Sequence, residues 1–519
     1  MNYTNPIIPG YHPDPSICRV GNDFYLVNSS FEFFPGVPIY HSTNLVNWEL
    51  IGHCLTRRTQ LELDGCRNSG GIYAPTIRYH NGCFYMITTN VTDRGNFIVH
   101  TRDIYGEWSD PVWIDQGGID PSLFWDENDV CYYCSTGRID GVRGIVAFQI
   151  DPDAGTILSE KKIISQGCGG QCAEGPHIYK KDGFYYLMIA EGGTEYAHRE
   201  TIQRSASVWG PYTPCPHNPI LSHKEYKKSE IQATGHADIV DDKNGNWWMV
   251  FLGIRRFSHA LLHNLGRETF LAPVTWNQDG WPLVGNSQNG TVELQMNGPL
   301  PEEPLPVHHD LTWNFSSGEL DPHFFFTRNP DPTRFHIDGK NRQCILNGSP
   351  ITINEPGASP VILSIPQPQF TTTLQTSLSI EQSDAARCGI CAYYNNDYHY
   401  DIYIGNDNGQ KFIGFYKHIH DLGVELKRIP LPATCKGKVD FKNITDRVNY
   451  QFYYRISTEG MADSTYILIG AGDNAGLSTE GTRTMTFTGT LFSLFAENGT
   501  GVFLDQIELK INPDVNYKL

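Results

Sequence analysis

Basic runs, long apolar runs and metal-spaced cysteines are all missing from this chain of 519 residues. Lys and Arg total 39 against 57 Asp and Glu, a formal charge of -18, and no cluster of basic residues offsets it. Such a surface repels a nucleic-acid backbone. No apolar stretch is long enough to span a bilayer, and Met1-Asn2-Tyr3-Thr4-Asn5-Pro6 lacks the basic and apolar regions of a secretory leader. With Met1 as the native start, the expectation is a cytoplasmic protein that engages neither nucleic acid nor membrane. The 13 cysteines are odd in number and lack metal-ligand spacing. Cys131 and Cys134 fall in an apolar run and read as buried thiols. Cys168 and Cys172 are close enough in sequence for a bridge, but free thiols in a reducing compartment are the plainer reading. His-Glu-x-x-His and Gly-x-Ser-x-Gly are absent, and Gly70-Gly71 and Gly192-Gly193 lack the context of a phosphate loop.

What the chain does have is repetition. Five stretches open on nearly the same phrase: Asp14-Pro15-Ser16-Ile17, Ala74-Pro75-Thr76-Ile77, Asp120-Pro121-Ser122-Leu123, Glu174-Gly175-Pro176-His177-Ile178 and His236-Ala237-Asp238-Ile239. Their first residues lie 60, 46, 54 and 62 positions apart. An aromatic or β-branched run follows each, as in Asp23–Val27, Cys83–Thr88, Val130–Cys134, Phe184–Ile189 and Trp247–Phe251, after a turn rich in Gly, Asn and Asp. A second echo joins His41 to Trp48, His100 to Trp108 and Arg204 to Trp209. Each reads as an outer strand whose tryptophan packs between adjacent sheets. Phrase, hairpin and outer strand repeat five times, which predicts a five-bladed β-propeller over residues 1–300. The length calls for a second large domain. A proline-rich linker, about 296–308, leads into an all-β region, 309–519, whose alternating runs predict a β-sandwich. The expected fold class is therefore all-β.

Radial repetition brings equivalent positions together around one axis, so distant carboxylates become neighbours. Asp14 and Asp120 each precede a proline, which predicts extended backbone and stiff presentation. Glu174 is one residue earlier relative to its proline, so its longer side chain reaches a different side of the site. In a partly apolar setting it would keep its proton near neutral pH, as a general acid must. One Asp would then be the base and the other a modulator; spacing does not say which. His236 stands at the fifth phrase, at the axis, as a candidate holder of water or a divalent cation. Arg255 ends the inner region of the last repeat and is a candidate clamp on sugar hydroxyls. Phe31 and Tyr73 are candidate platforms for a sugar face.

These phrases, with Asn5-Pro6-Ile7, His12-Pro13-Asp14-Pro15-Ser16, Gly71-Ile72-Tyr73-Ala74-Pro75 and Ala173-Glu174-Gly175-Pro176, resemble glycoside hydrolase family 43 of β-xylosidases and α-L-arabinofuranosidases. The tail resembles the β-sandwich attached to many of them. The resemblance implies Asp14 as general base, Asp120 as pKa modulator and Glu174 as general acid of an inverting hydrolase, with base and acid about 6.5–9.5 Å apart around a water. It implies that Arg255 and Phe31 line the deepest subsite. It also implies that His236 is the axial histidine that in some members holds Ca2+ through water, with no cofactor needed for chemistry. Tyr73 stands where relatives often carry Trp, and Ile119 where some carry Phe, so the pocket wall departs from the pattern. The sandwich is expected to cover the active-site mouth, with Phe487 or Phe503 completing the wall, so that action is at chain ends. The resulting expectation is an exo-acting β-1,4-xylosidase on plant cell-wall-derived oligosaccharides. The alternatives are an α-L-arabinofuranosidase or bifunctional enzyme and a non-catalytic glycan-binding protein. A homo-oligomer is compatible with the sequence.

Overall fold

The computed structural model describes residues 1–257, 261–285, 290–306, 310–457 and 465–512. The end of the expected linker at 307–308, the expected domain start at 309 and the chain end from 513 lie outside the described residues. The chain is all-β; its only helical elements among the described residues are 3-10 turns of three or four residues. None is long and apolar enough to cross a membrane.

Each opening phrase begins or enters the first strand of an antiparallel sheet of four or five strands. The five first strands are Ser16–Val20, Thr76–His80, Ser122–Trp125, Glu174–Lys181 and Ile231–Asp241. Sequence-adjacent strands pair through tight turns, for example Ser16 opposite Val27 and Thr76 opposite Ile87. The first strand of each sheet contacts that of the next, and the fifth contacts the first. The three tryptophans lie between sheets as expected. Trp108 joins a core cluster shared by the first and second sheets, Trp48 one that includes the fifth and first, and Trp209 one shared by the third and fourth.

One buried carboxylate joins most of these first strands. Asp238 of the fifth sheet accepts from Ser16 Oγ at 2.7 Å, Arg78 Nη1 at 2.7 Å and Tyr179 Oη at 2.6 Å. Those donors belong to the first, second and fourth sheets. Thr76 Oγ1 donates to Pro121 O at 3.0 Å and Ser122 Oγ to Pro176 O at 2.6 Å, which brings in the third. Burial alone would raise the Asp238 pKa, but Arg78, His177 and Tyr179 hold it well below the usual carboxylate range.

The expected linker is not loose at its start. Gln295–Asn297 pairs antiparallel with Asn2–Thr4, and Met296 and Leu300 are buried in the core behind the fifth and first sheets. The two ends of the N-terminal region are thereby tied together, because apolar Met296 and Leu300 bury more favourably there than they would in solvent. From Leu311 onward, one sheet of eight strands and one of six pack face to face around a continuous core. Phe503 lies fully inside this core, so of the two aromatic residues considered for the pocket wall it is excluded.

Replacing Asp238 with Ala should cost about 3–5 kcal/mol, since the half-buried Arg78 loses its charge partner and Ser16 and Tyr179 lose their acceptor. Urea unfolding followed by tryptophan fluorescence measures this; a loss under about 1 kcal/mol would refute the bridging role.

Candidate active site

The three carboxylates singled out from the sequence converge at the starts of the first strands. Asp14 is buried and held from several sides. Ser29 Oγ donates to Oδ2 at 2.5 Å, Arg267 Nη1 to Oδ1 at 3.0 Å, and His236 Nδ1 lies 3.9 Å from Oδ1. Asp120, also buried, accepts from the Gly175 N–H at 3.2 Å, directly beside Glu174. Gly175 lies against the His236 ring: a Cβ there would come within 3.2 Å of it, and the φ of 56° already favours glycine. The contacts therefore run from Asp120 through Gly175 and His236 to Asp14.

Backbone conformation differs from expectation. The prolines after Asp14 and Asp120 predict extended backbone, yet the φ angles of the two aspartates are +51° and +58°. Aspartate tolerates the left-handed region better than most residues. The turn aims both side chains inward, and their buried hydrogen bonds hold a conformation that a free chain would rarely adopt. Phe31, Ser69 and His236 share this feature, with φ of 45°, 55° and 48°. His236 and Glu174 also sit at register shifts in their strands, which re-aim side chains.

The electrostatics separate the carboxylates. For Asp14, burial raises the pKa, but the Arg267 guanidinium, His236 and the Ser29 hydroxyl outweigh it and hold the group below its ordinary value. For Glu174, burial and the Asp14 charge push the pKa up to about 7. Asp120 is raised well above its usual range by burial, then by Glu174 and Asp14. Asp14 is thus ionised, while Asp120 and Glu174 retain a proton between them near neutral pH. An anionic base beside a protonated acid is what displacement at an acetal carbon requires. Burial lowers the His236 pKa, so the imidazole is neutral.

Beside the carboxylates stands an aromatic wall. Phe31 lies 5.3 Å from Tyr73 and 5.6 Å from Phe487, and Tyr73 lies 5.8 Å from Phe487, centroid to centroid. Phe487 comes from the C-terminal sandwich region. Arg267 binds the wall and Asp14 together: its guanidinium faces the Phe31 and Phe487 rings at 5.5 and 5.3 Å, and its Nη2 donates to Phe487 O at 3.3 Å. Half-buried Ile119 precedes Asp120, its N–H bonded to Thr136 Oγ1 at 2.8 Å.

Arg255 is placed elsewhere than expected. Its guanidinium is paired with Glu268 at 2.7 and 2.8 Å and with Gln369 at 2.8 Å, joining the fifth sheet to the second region. The arginine beside Asp14 is Arg267, which no sequence motif marks. Gly253 pairs with Glu268 across the hairpin, so Arg255 and Arg267 emerge at the same end of adjacent strands. Only Arg255 ends a recognisable apolar run. Sequence reasoning also misses Ser29 and Thr194, which accepts from Arg267 at 2.9 Å; Ser29 is two residues from Phe31, and nothing in the Gly192-Gly193-Thr194 stretch marks Thr194.

Among the described residues no group of three or more His, Cys, Asp or Glu side chains could hold a metal ion. An ion at His236 would be held through water by one imidazole rather than by a ligand set. A cavity of about 660 Å3 between the first sheet and the sandwich, lined by Trp48, His53, Trp313 and His323, contains none of the three carboxylates.

Comparison with known proteins identifies the family of both regions. The model of Glycosyl hydrolases family 43 matches residues 3–282, and that of the Beta xylosidase C-terminal Concanavalin A-like domain matches residues 312–502. A non-reducing end alpha-L-arabinofuranosidase of Bacteroides ovatus is 39% identical over 506 residues, covering 96% of this chain and 92% of its own. A xylosidase/arabinosidase of Butyrivibrio fibrisolvens is 40% identical over 417 residues, covering 77% and 79%. The solved structure of the Bacteroides ovatus xyloglucan PUL GH43B superposes with a TM-score of 0.91 at 36% identity, over 99% of this chain and 100% of that one.

Glu174 has a folded pKa above its unfolded one, so the native state binds the extra proton. Its contribution to stability therefore falls as pH rises from about 4.5 through about 7. Glu174→Gln removes that liability. Its Tm relative to the parent should be higher at pH 8 than at pH 5, by about 2 °C or more. A pH-independent difference in thermal melts would contradict the raised pKa.

Proposed function

Because the chain belongs to Glycosyl hydrolases family 43, we propose that it is an exo-acting, inverting α-L-arabinofuranosidase that releases arabinose from non-reducing ends of plant cell-wall oligosaccharides. Family membership already makes the chain a glycoside hydrolase, with relatives named as an arabinofuranosidase and as a xylosidase/arabinosidase. The sequence-based preference for a β-1,4-xylosidase gives way here. The observation that carries the change is the near full-length likeness to the Bacteroides ovatus arabinofuranosidase. β-Xylosidase activity remains as the second reading, favoured by the Butyrivibrio relative that is named for both sugars.

In this reading Asp14 takes a proton from water as the water oxygen bonds to the anomeric carbon. The bond from that carbon to the leaving oxygen breaks, and Glu174 gives its proton to that oxygen. Attack and departure occur on opposite faces, so configuration inverts. Arg267 keeps Asp14 ionised at working pH, burial and the Asp14 charge keep Glu174 protonated, and Asp120, itself raised by burial and by both neighbours, stands beside the acid as an uncharged hydrogen-bonding group. Phe31, Tyr73 and Phe487 offer a face for the terminal pentose, and Phe487, arriving from the sandwich, supports a pocket rather than an open cleft. Contact between the first and fifth inner strands supports reading the five sheets as blades of a closed propeller. No step is assigned to a metal.

The test compares 4-nitrophenyl α-L-arabinofuranoside with 4-nitrophenyl β-D-xylopyranoside, then xylobiose with arabinosylated oligosaccharides. The arabinoside should have the higher kcat/KM. Glu174→Gln should lose about 100-fold to 10,000-fold on the natural oligosaccharides. Absence of hydrolysis of either pentoside by folded protein would sink the proposal.

The pH profile of kcat/KM should be bell-shaped, with its alkaline limb near 7 from Glu174 and its acid limb below the ordinary carboxylate range from Asp14. Arg267→Ala removes the cation that lowers the Asp14 pKa. The acid limb should then move to higher pH by about one unit or more. An unmoved limb in steady-state kinetics would remove Asp14 as the titrating base.

A further inference from the structure

The aromatic wall is assembled from three distant segments, and one residue touches two of them. Ser69 is buried and left-handed. Its Oγ accepts the Phe487 N–H at 2.9 Å, and its carbonyl accepts the Tyr73 hydroxyl at 3.3 Å. Its own N–H donates to Glu32 Oε2 at 3.0 Å. Glu32 follows Phe31, the third member of the wall, and is 2% exposed. Burial pushes its carboxyl up to about 7, against the opposing pull of the Ser69 N–H and the Arg328 guanidinium. A carboxyl so buried is costly unless its hydrogen bonds are needed where it stands.

The surroundings fix the same loop. The Glu32 carbonyl accepts the Arg328 N–H at 2.7 Å. The Arg328 side chain is fully buried, with Nε donating to Cys66 O at 2.5 Å and Nη2 to Asn68 Oδ1 at 3.3 Å. Asn329 Oδ1 accepts the Leu63 N–H at 2.6 Å, and Asn68 Nδ2 donates to Asn396 Oδ1 at 2.7 Å. Residues 63–69 are therefore gripped from the C-terminal region, and Ser69 is the end of that grip nearest the wall. Gly71 closes against Phe31: a Cβ there would fall 2.2 Å from the Phe31 carbonyl oxygen. Little slack remains between Phe31, Ser69 and Tyr73.

We propose that Glu32, acting through Ser69, is the positioning residue that sets the spacing of Tyr73 and Phe487 and thereby the pentose preference of the pocket. Glu32 touches neither the three carboxylates nor the ring faces of the wall. It works by holding the Ser69 peptide, and Ser69 in turn holds both aromatic residues. The specificity part rests on the pentosidase reading above; the positioning part does not.

The variants are Glu32→Ala, Glu32→Gln and Ser69→Ala, checked for folding by circular dichroism and thermal melts. Glutamine keeps a neutral acceptor for the Ser69 N–H, whereas Ser69→Ala removes only the acceptor for Phe487. In Glu32→Ala and Ser69→Ala, KM for the aryl arabinofuranoside should rise about tenfold with kcat within about threefold. The ratio of arabinoside to xyloside kcat/KM should shift by about fivefold or more, while Glu32→Gln stays within about twofold of the parent. An unchanged ratio in folded variants, a glutamine variant as impaired as the alanine one, or a fall in kcat at unchanged KM would each overturn the proposal. If Glu32→Ala does not fold, Ser69→Ala decides. Crystal structures give a readout independent of turnover. The Tyr73–Phe487 centroid separation, 5.8 Å in the parent, should change by about 1 Å or more in Ser69→Ala and stay in Glu32→Gln. A parent inactive on every pentoside defeats the substrate reading, and the wall geometry still decides the positioning role.

Discussion

The arrangement depends on one buried charge. Asp238 gathers donors from the first, second and fourth sheets onto the fifth, in a place from which water is excluded. A lone carboxylate there would be strongly unfavourable, and the half-buried Arg78 would lose its charge partner. Together they satisfy one another only if the first strands lie side by side. The pair therefore acts as a register condition on the inner strands. The residues that begin those strands inherit that condition, and the three candidate carboxylates are among them. Chemistry at one end of the strands is positioned by a charge pair further along them.

That dependence explains why much of the architecture is legible in the sequence. Four of the sheets have a proline within two residues of the start of the first strand, and all five have a tight turn after that strand and an aromatic run to pack between sheets; in the fifth the phrase lies inside Ile231–Asp241. The phrases from Asp14 to Asp238 repeat because those physical features repeat. The start of the linker departs from its local pattern for the opposite reason. Asn297-Gly298-Pro299-Leu300-Pro301 carries every local sign of a loop, but Met296 and Leu300 find a core built by residues near the other end of the chain. Local composition carries no record of a pairing between Gln295–Asn297 and Asn2–Thr4.

At the site, legibility follows repetition just as closely. Asp14, Asp120 and Glu174 stand in phrases and are found from them; Arg267 stands in none and is not. Its importance comes from crossing to Asp14, which is 253 positions away, and no spacing rule reaches that far. Arg255 looks equivalent because strand pairing puts both arginines at one end of the same hairpin. Their different fates turn on Glu268, which neutralises Arg255 at the boundary with the second region and leaves Arg267 to Asp14. The left-handed backbone at Asp14 and Asp120 is hidden too. Proline after each residue argues locally for extension, and the buried hydrogen bonds that override it are tertiary.

The division between chemistry and preference follows from the same geometry. The carboxylates belong to the N-terminal sheets, and their opposed proton affinities come from burial, Arg267 and one another. None of those influences depends on which pentose is bound. The wall is different, because Phe31, Tyr73 and Phe487 meet only when the second region docks, through a hydrogen bond spanning 418 positions. A xylopyranose and an arabinofuranose present similar hydroxyls to an acid and a base but differ in ring size and in the face they offer an aromatic surface. On the proposed pentosidase reading, discrimination between them falls to the wall, where small displacements alter packing without disturbing proton transfer. The contacts that hold the two regions together are, on this argument, the contacts through which substrate preference changes while the reaction stays the same.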